Sequence, residues 1–244
     1  MGKIALVTGA SSGIGRATAL KFADAGIKVA LVARRKELLE SLKLEIAELG
    51  GTAEIMVADV GEERQAAGAC EWALGTFGCV DILVNNAGIV RPGLISEQDP
   101  QEWRDTFNIN LLAPMYMTQG LLASMKQHGS GHIVNISSNA AKIPGGATQS
   151  SYSASKYAMT AFSSSLRKET AEHGIRVTII EPGATTTDVA DSIPDEKTRQ
   201  MMDTHMRNEV NMQAEDIAAA IYYAISQPAR VNVSEIWLTP SRRS

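Results

Sequence analysis

Cysteine, aromatic residues and long apolar runs are all scarce in this chain. Its two cysteines, Cys70 and Cys79, stand among 244 residues, too few for a disulfide framework and unsuited to a metal pair. A reducing, cytoplasmic setting is therefore expected. His128, His132, His173 and His205 show no ligand spacing such as H-E-x-x-H, so no metal is expected. No run of about 18 apolar residues occurs, which leaves nothing to span a bilayer. Met-Gly-Lys enters a strand-like run at once, leaving no room for a signal peptide, and Leu6 stands where myristoylation wants Ser or Thr. Neither charge dominates: 23 basic against 27 acidic residues give a net charge of −4. That balance argues against nucleic-acid or membrane partners. What remains, 44% hydrophobic and 20% charged, is ordinary globular composition and excludes disorder and collagen.

Short β-branched runs alternate with longer helical patterns. Strands are expected at Lys3–Thr8, Ile27–Ala33, Ala53–Ala58, Val80–Asn85, Gly131–Ser137, Arg176–Glu181 and Glu235–Leu238. Amphipathic stretches lie at Arg16–Ala25, Lys36–Leu49, Glu62–Phe77, Ser151–Glu172 and Ala214–Ser226. Such alternation reads as repeated βαβ units, hence α/β with a parallel sheet covered on both faces. No linker or repeat interrupts it, so one domain is expected over 1–244. The polar, Met-rich stretch Ala184–Met212 is longer than a normal connection and reads either as a binding loop or as a peripheral helix pair.

The first strand runs into Gly9-Ala10-Ser11-Ser12-Gly13-Ile14-Gly15 and then a helix. Such a loop lets backbone approach a pyrophosphate, and the helix N-terminus supplies amide donors. The spacing is G-x3-G-x-G, and Arg16-Ala17 stands where a Walker loop needs Lys-Ser/Thr. Taken alone, the loop is also plain turn chemistry. The second strand ends Val32-Ala33-Arg34-Arg35. Where NAD sites place an acid for the ribose 2′-hydroxyl, this chain has Ala33 and then two arginines, a fork suited to a 2′-phosphate. That favours NADP(H) over NAD(H); a solvated Arg pair at a helix start is the alternative.

Tyr152 alone among the five tyrosines has a lysine four residues on, Lys156, within a helical pattern that puts both on one face. An ammonium there favours phenolate and would make Tyr152 a usable acid or base near neutral pH. The same spacing is common on helix surfaces. Ser137-Ser138 closes a strand shortly before it, where ligands bind in parallel sheets. Asn110 lies in a long helical pattern, Gln101–Lys126, that contains Pro114. Pro114 has no N–H for the carbonyl of residue 110, which leaves that carbonyl able to hold a water, or marks a simple kink.

In order along the chain, Thr8-Gly9-(x)3-Gly13-Ile14-Gly15, Asn85-Asn86-Ala87-Gly88, Asn110, Ser138, Tyr152-(x)3-Lys156 and Pro182-Gly183 resemble the short-chain dehydrogenases/reductases. The resemblance covers essentially the whole chain and implies a doubly wound Rossmann fold with a seven-stranded parallel sheet. It implies hydride transfer between NADP(H) and a carbonyl or secondary alcohol, with Tyr152 passing the proton and Lys156 lowering its pKa and binding the nicotinamide ribose. Ser138 would orient the carbonyl, and Asn110 would hold the water of a proton relay. Asp59 and Val60 would contact adenine, Asn86-Ala87-Gly88 the adenosine side, and Pro182, Gly183, Thr185 and Thr187 the nicotinamide end. A homotetramer, or a homodimer, is implied, through the Tyr-bearing helix and the next one. The chain departs from the pattern in three places. Ser138 lies fourteen residues before Tyr152 rather than the usual thirteen, which leaves Ser137 as its rival; Ala141 replaces a common Gly; and the ending after Leu238 resembles reductases of hydroxy acids and polar aldehydes rather than carrying a Gly-Gly pair. Candidate substrate-wall residues are Arg91, Lys142, Thr185, Met201, Met202, His205, Met206 and Arg207, whose cations would suit an oxo or hydroxy acid; Arg207 and Lys142 lying in solvent is the alternative. A non-catalytic NADP(H)-sensing protein on the same fold is the competing reading.

Overall fold

Alternation within the strands decides the architecture. In the first strand, β1 (Ile4–Thr8), Ile4 and Leu6 enter one apolar cluster while Ala5 and Val7 enter another. In β2 (Lys28–Ala33), Ala30 and Val32 join the first cluster, and Val29, Leu31 and Ala33 the second. A strand buried on both faces needs a layer of helices on each. The computed structural model, which describes residues 2–193, 195–197, 199–200 and 211–241, has that arrangement.

The remaining strands are β3 (Ala53–Val57), β4 (Ile82–Asn85), β5 (Gly131–Ile136), β6 (Ile175–Pro182) and β7 (Glu235–Leu238). They form one seven-stranded sheet in the order β3-β2-β1-β4-β5-β6-β7, with every pairing parallel. This is the doubly wound Rossmann arrangement. Helices α1 (Gly13–Asp24) and α2 (Lys36–Glu48) cover one face, joined by α7 (Ala214–Ser226) through Ile217, Ile221 and Ile225. Helices α3 (Glu63–Phe77), α5 (Ala113–His128) and α6 (Ser150–Thr170) cover the other through Ala66, Cys70, Met117, Leu121 and Leu166. The chain order reverses between β1 and β4, so a crevice opens at the carboxyl ends of those two strands.

The pattern read as one helix over Gln101–Lys126 is three pieces. Helix α4 (Pro100–Phe107) starts under an Asp99 cap, whose carboxylate accepts from Gln101 N–H at 2.8 Å. A π-helical turn covers Asn108–Leu112, and α5 follows. Pro114 cannot donate to residue 110, and the amide of Ala113 instead reaches back five residues to Asn108. The stretch read as a loop over 184–212 holds a short 3₁₀ turn at Asp188–Ser192 and a bridge pairing Thr185 with Met212; 201–210 lie outside the described residues.

Candidate active site

Where β1 ends, Thr8 ties the two strands of the crevice together. Its Oγ1 accepts from the amides of Asn86 at 3.0 Å and Ala87 at 3.1 Å. The Asn86 side chain donates back to the carbonyls of Thr8 and Gly9. Gly9 adopts φ +63°, and a Cβ there would stand 2.9 Å from the Ala87 Cα, so only glycine lets the loop turn this close to β4. Gly15 has a packing task. It does not line the cleft; it lets α1 pack against the Gly9 carbonyl and the Asn86 amide, which a Cβ would overlap. Ser11, Ser12, Gly13 and Ile14 remain at the cleft, in front of the α1 N-terminus. Thr187 rests against Gly13, so the segment after Pro182-Gly183 folds over the same loop.

The cleft, about 550 Å³, runs from this loop in two directions. Toward β2 and β3 its walls are Val32, Ala33, Ala58, Asp59, Val60 and Ala87. Arg35 reaches back over the loop, its Nε and a terminal nitrogen donating to Ser11 Oγ at 3.2 and 3.1 Å and to Ser12 Oγ. Arg34 is exposed and lies 3.6 Å from an Asp59 carboxylate oxygen. Both guanidinium groups therefore flank the mouth, and the position of a ribose-binding acid is filled by the small, buried Ala33.

Toward β5 and β6 the cleft ends in Ser138, Tyr152 and Lys156. The pleat separates the two adjacent serines. Ser137 is buried, donates to the Lys156 carbonyl at 3.2 Å and lies 3.4 Å from Thr160 Oγ1. Ser138 instead lines the cleft with Tyr152, and its hydroxyl accepts from the Ala140 amide at 3.1 Å. Lys156 is 5% exposed, donates to the Ile136 carbonyl at 3.0 Å and places its Nζ 5.7 Å from the Tyr152 ring centre. Burial pulls the Lys156 ammonium down to about 8. Burial also pushes the Tyr152 phenol above its ordinary value, and the nearby Ser138 hydroxyl draws it partly back. The lowering expected of Tyr152 is thus not what this pocket does by itself. Desolvation of the phenol is the larger influence here.

Asn110 is buried but does not line the cleft. Its side chain is fully engaged: Oδ1 accepts from Ile89 N–H at 2.9 Å, and Nδ2 donates to the Ile89 carbonyl at 3.0 Å and to Ser155 Oγ at 3.1 Å. It staples the segment after β4 to α6, three residues from Tyr152. Asn86, Ala87, Gly88, Pro182, Gly183, Thr185 and Thr187 all line the cleft.

The substrate wall is redrawn. Lys142 does not face the cleft: its Nζ lies 3.2 Å from Glu181 and 2.6 Å from Glu235. Arg91 also stays off the lining, with a nitrogen on the Val90 carbonyl at 3.2 Å. Met201, Met202, His205, Met206 and Arg207 lie outside the described residues. Val90, Ile143, Gly145, Gln149 and Val189 line the cleft instead, none of them singled out from the sequence. Only their proximity to Ser138, Tyr152 and the Pro182-Gly183 turn could have pointed to them. Glu181 was also missed, although an acid inside the apolar run of a buried strand is itself a signal.

The donor set fits a nicotinamide dinucleotide: amides and a helix N-terminus for a pyrophosphate, apolar walls for adenine, and a polar cul-de-sac at the far end. Comparison with known proteins agrees. A family model described as short chain dehydrogenase matches residues 3–198. An uncharacterized oxidoreductase of Staphylococcus saprophyticus is 35% identical, over 99% of this chain and 97% of its own. Among solved structures, an alcohol dehydrogenase from the archaeon Thermococcus sibiricus, complexed with 5-hydroxy-NADP, superposes with a TM-score of 0.88 at 26% identity, covering 100% of this chain and 99% of that one. A 3-ketoacyl-(acyl-carrier-protein) reductase from Brucella melitensis, complexed with NADH, gives 0.86 at 29% identity, covering 99% and 98%. No helix among the described residues is long and apolar enough to cross a membrane.

Proposed function

The chain belongs to the short-chain dehydrogenase family of oxidoreductases, and on that premise we propose that it transfers a hydride between NADP(H) and a carbonyl or secondary alcohol within one NADP(H)-binding domain. The observation that carries the reading is the meeting of Ser138, Tyr152 and the buried Lys156 at one end of the cleft that holds the glycine loop. Bound in that cleft, the nicotinamide would supply the hydride donor or acceptor. Gly9, Ser11, Ser12, Gly13 and Ile14 would hold the pyrophosphate, and Arg34 and Arg35 the 2′-phosphate. Asp59 and Val60 would bound the adenine; Pro182, Gly183, Thr185 and Thr187 the nicotinamide end.

In the reducing direction Tyr152 Oη gives its proton to the carbonyl oxygen, and Ser138 Oγ donates a second hydrogen bond to it. A phenol kept protonated by burial suits this direction. Lys156 stabilises the phenolate left behind and is positioned to bind the ribose hydroxyls. Asn110 contributes through its main-chain carbonyl, because its side chain is committed to Ile89 and Ser155. Among the described residues, the substrate end offers Val90, Ile143, Val189 and Gln149 with Asp188 beside them, while Lys142 and Arg91 stay off the lining, so the oxo-acid expectation rests on Arg207, outside the described residues.

The proposal extends to assembly and setting. Helix α6 exposes Ala154, Tyr157, Ala161 and Ser165, a face suited to pairing with a second copy in a homotetramer, which sedimentation analysis would test. Cys70 and Cys79 are unpaired, in keeping with the cytoplasm.

Fluorescence titration with NADPH and NADH tests the cofactor. NADPH should bind about tenfold tighter or better, roughly 1.4 kcal/mol. Equal binding would mean that the arginines serve solvent alone. Binding of neither would remove the oxidoreductase reading, and binding without turnover across a carbonyl screen would favour an NADP(H) sensor.

A further inference from the structure

Glu181 is the one fully buried carboxylate among the described residues, at 0% exposure, and the chemistry above gives it no task. It precedes Pro182 at the cleft end of β6. One oxygen accepts from Thr160 Oγ1 at 3.1 Å, and the other lies 3.2 Å from Lys142 Nζ. Lys142 also reaches Glu235, the first residue of β7, at 2.6 Å. One ammonium therefore bridges two carboxylates from neighbouring strands.

Each branch of this cluster ends at a catalytic candidate. Lys142 closes the 3₁₀ turn Asn139–Ala141, whose capping residue is Ser138, and its amide donates to the Asn139 carbonyl at 2.9 Å. That turn is gripped from two further sides. Trp237 Nε1 donates to Asn139 Oδ1 at 2.9 Å, and Tyr157 Oη donates to the Lys142 carbonyl at 2.9 Å. On the other branch Thr160 lies 3.4 Å from the Ser137 hydroxyl, which holds the Lys156 carbonyl. Burying a carboxylate against a part-exposed ammonium is a poor way to gain stability, since an apolar residue of similar volume packs as well at lower desolvation cost. A bridging ion, however, fixes direction as well as contact.

We propose that Glu181, Lys142 and Glu235 form a positioning network that sets the Ser138 hydroxyl against Tyr152 and holds the Lys156 turn of α6 in register with it. The inference rests on the hydride-transfer reading for what the positioning achieves, but not for whether it exists. Lys142, a candidate for the substrate wall or for plain solvent, acts instead behind the wall.

The test uses the full-length protein and two readouts. The first is turnover, with NADPH affinity measured separately. The second is the titration midpoint of Tyr152, followed by NMR with ¹³C-labelled tyrosine and assigned with Tyr152→Phe. Glu181→Gln should lower kcat about 10- to 100-fold while the NADPH Kd stays within about twofold, as expected when a reacting group is misplaced and binding is kept. The Tyr152 midpoint should rise, because the Ser138 hydroxyl that draws it down has moved; Lys156 remains the cation over its ring. Lys142→Met should behave likewise, and Lys142→Arg should keep most of the turnover. A folded Glu181→Gln with unchanged kcat and unchanged midpoint would overturn the network. If the wild type turns over no carbonyl, the proposed function falls, and the midpoint alone still decides the network. If Glu181→Gln does not fold, Lys142→Met and the half-exposed Glu235→Gln carry both readouts.

Discussion

At the amino-terminal ends of the strands, ionisable groups are turned inward onto the main chain. Asp81 accepts from Ile4 N–H at 2.7 Å. Arg176 donates to the carbonyls of Gln227 and Val231 at 3.0 and 3.1 Å and of Ile225 at 3.3 Å, closing the end of α7. His132 is buried against Thr178, and burial pulls its imidazole down to about 3. At the carboxyl-terminal ends the residues are no less polar, but Ser138, Tyr152 and Lys156 keep an aspect toward a cavity. The two ends show that burial of a charge does not mark a site. What marks it is a polar group left facing open space after its neighbours have been satisfied.

Four substitutions or titrations break that comparison, in decreasing order of effect. Tyr152→Phe should cut NADPH-dependent turnover by about 10²- to 10⁴-fold, with NADPH affinity and melting temperature nearly unchanged. Steady-state kinetics beside a thermal melt reads both. At the opposite end, acid should attack stability rather than turnover. The unfolded His132 takes its proton near 6.5 and the folded one only near 3. The unfolded state therefore binds more protons in between, and stability should fall as pH drops through that window, by about 1.4 kcal/mol per unit from this group. Urea unfolding from pH 7 to 4 measures the slope, and His132→Gln should flatten it.

Lys156→Met sets function against stability. The ammonium's fall from 10.5 to about 8 means that the unfolded chain holds the proton more tightly. Below 8 the buried charge costs roughly 3 kcal/mol, a cost that fades as pH rises from 8 toward 10.5. The variant should lose turnover yet melt higher at pH 7, by less than that figure suggests because the bond to Ile136 goes too. The advantage should shrink by pH 10. A lower melting temperature at pH 7 would show that Lys156 stabilises the fold. The smallest effect is reserved for the exposed mouth: Arg35→Ala should weaken NADPH about tenfold and leave NADH alone, roughly 1.4 kcal/mol.

Much of the site was legible because its parts are local. The glycine loop is contiguous, and Tyr152 and Lys156 share one helix face. Seven strands could be placed within two residues by their apolar runs. What stayed hidden was decided by partners far along the chain. Ser137 and Ser138 are equivalent as letters; the pleat assigns one to Thr160 and the other to Tyr152. Lys142 looked like a substrate cation until β6 and β7 brought Glu181 and Glu235 beside it. Burial also reversed the sign expected for Tyr152, because i,i+4 spacing fixes who is near but not how dry the pocket is.

The π-helical turn at Asn108–Leu112 has a consequence for how this stretch tolerates change. Such a turn is an α-helix carrying one surplus residue. The wide turn takes up that residue within itself, so the rods on either side keep the phase of one unbroken α-helix. Were the same residues wound as α-helix throughout, every side chain beyond would turn by about 100° about the axis. Met117, Leu121 and Met125 would then leave the core beside α3, or Asn110 would leave Ile89. The slack runs one way: removing one residue of the turn other than Asn110 closes it with both faces kept, whereas adding one has no such outlet.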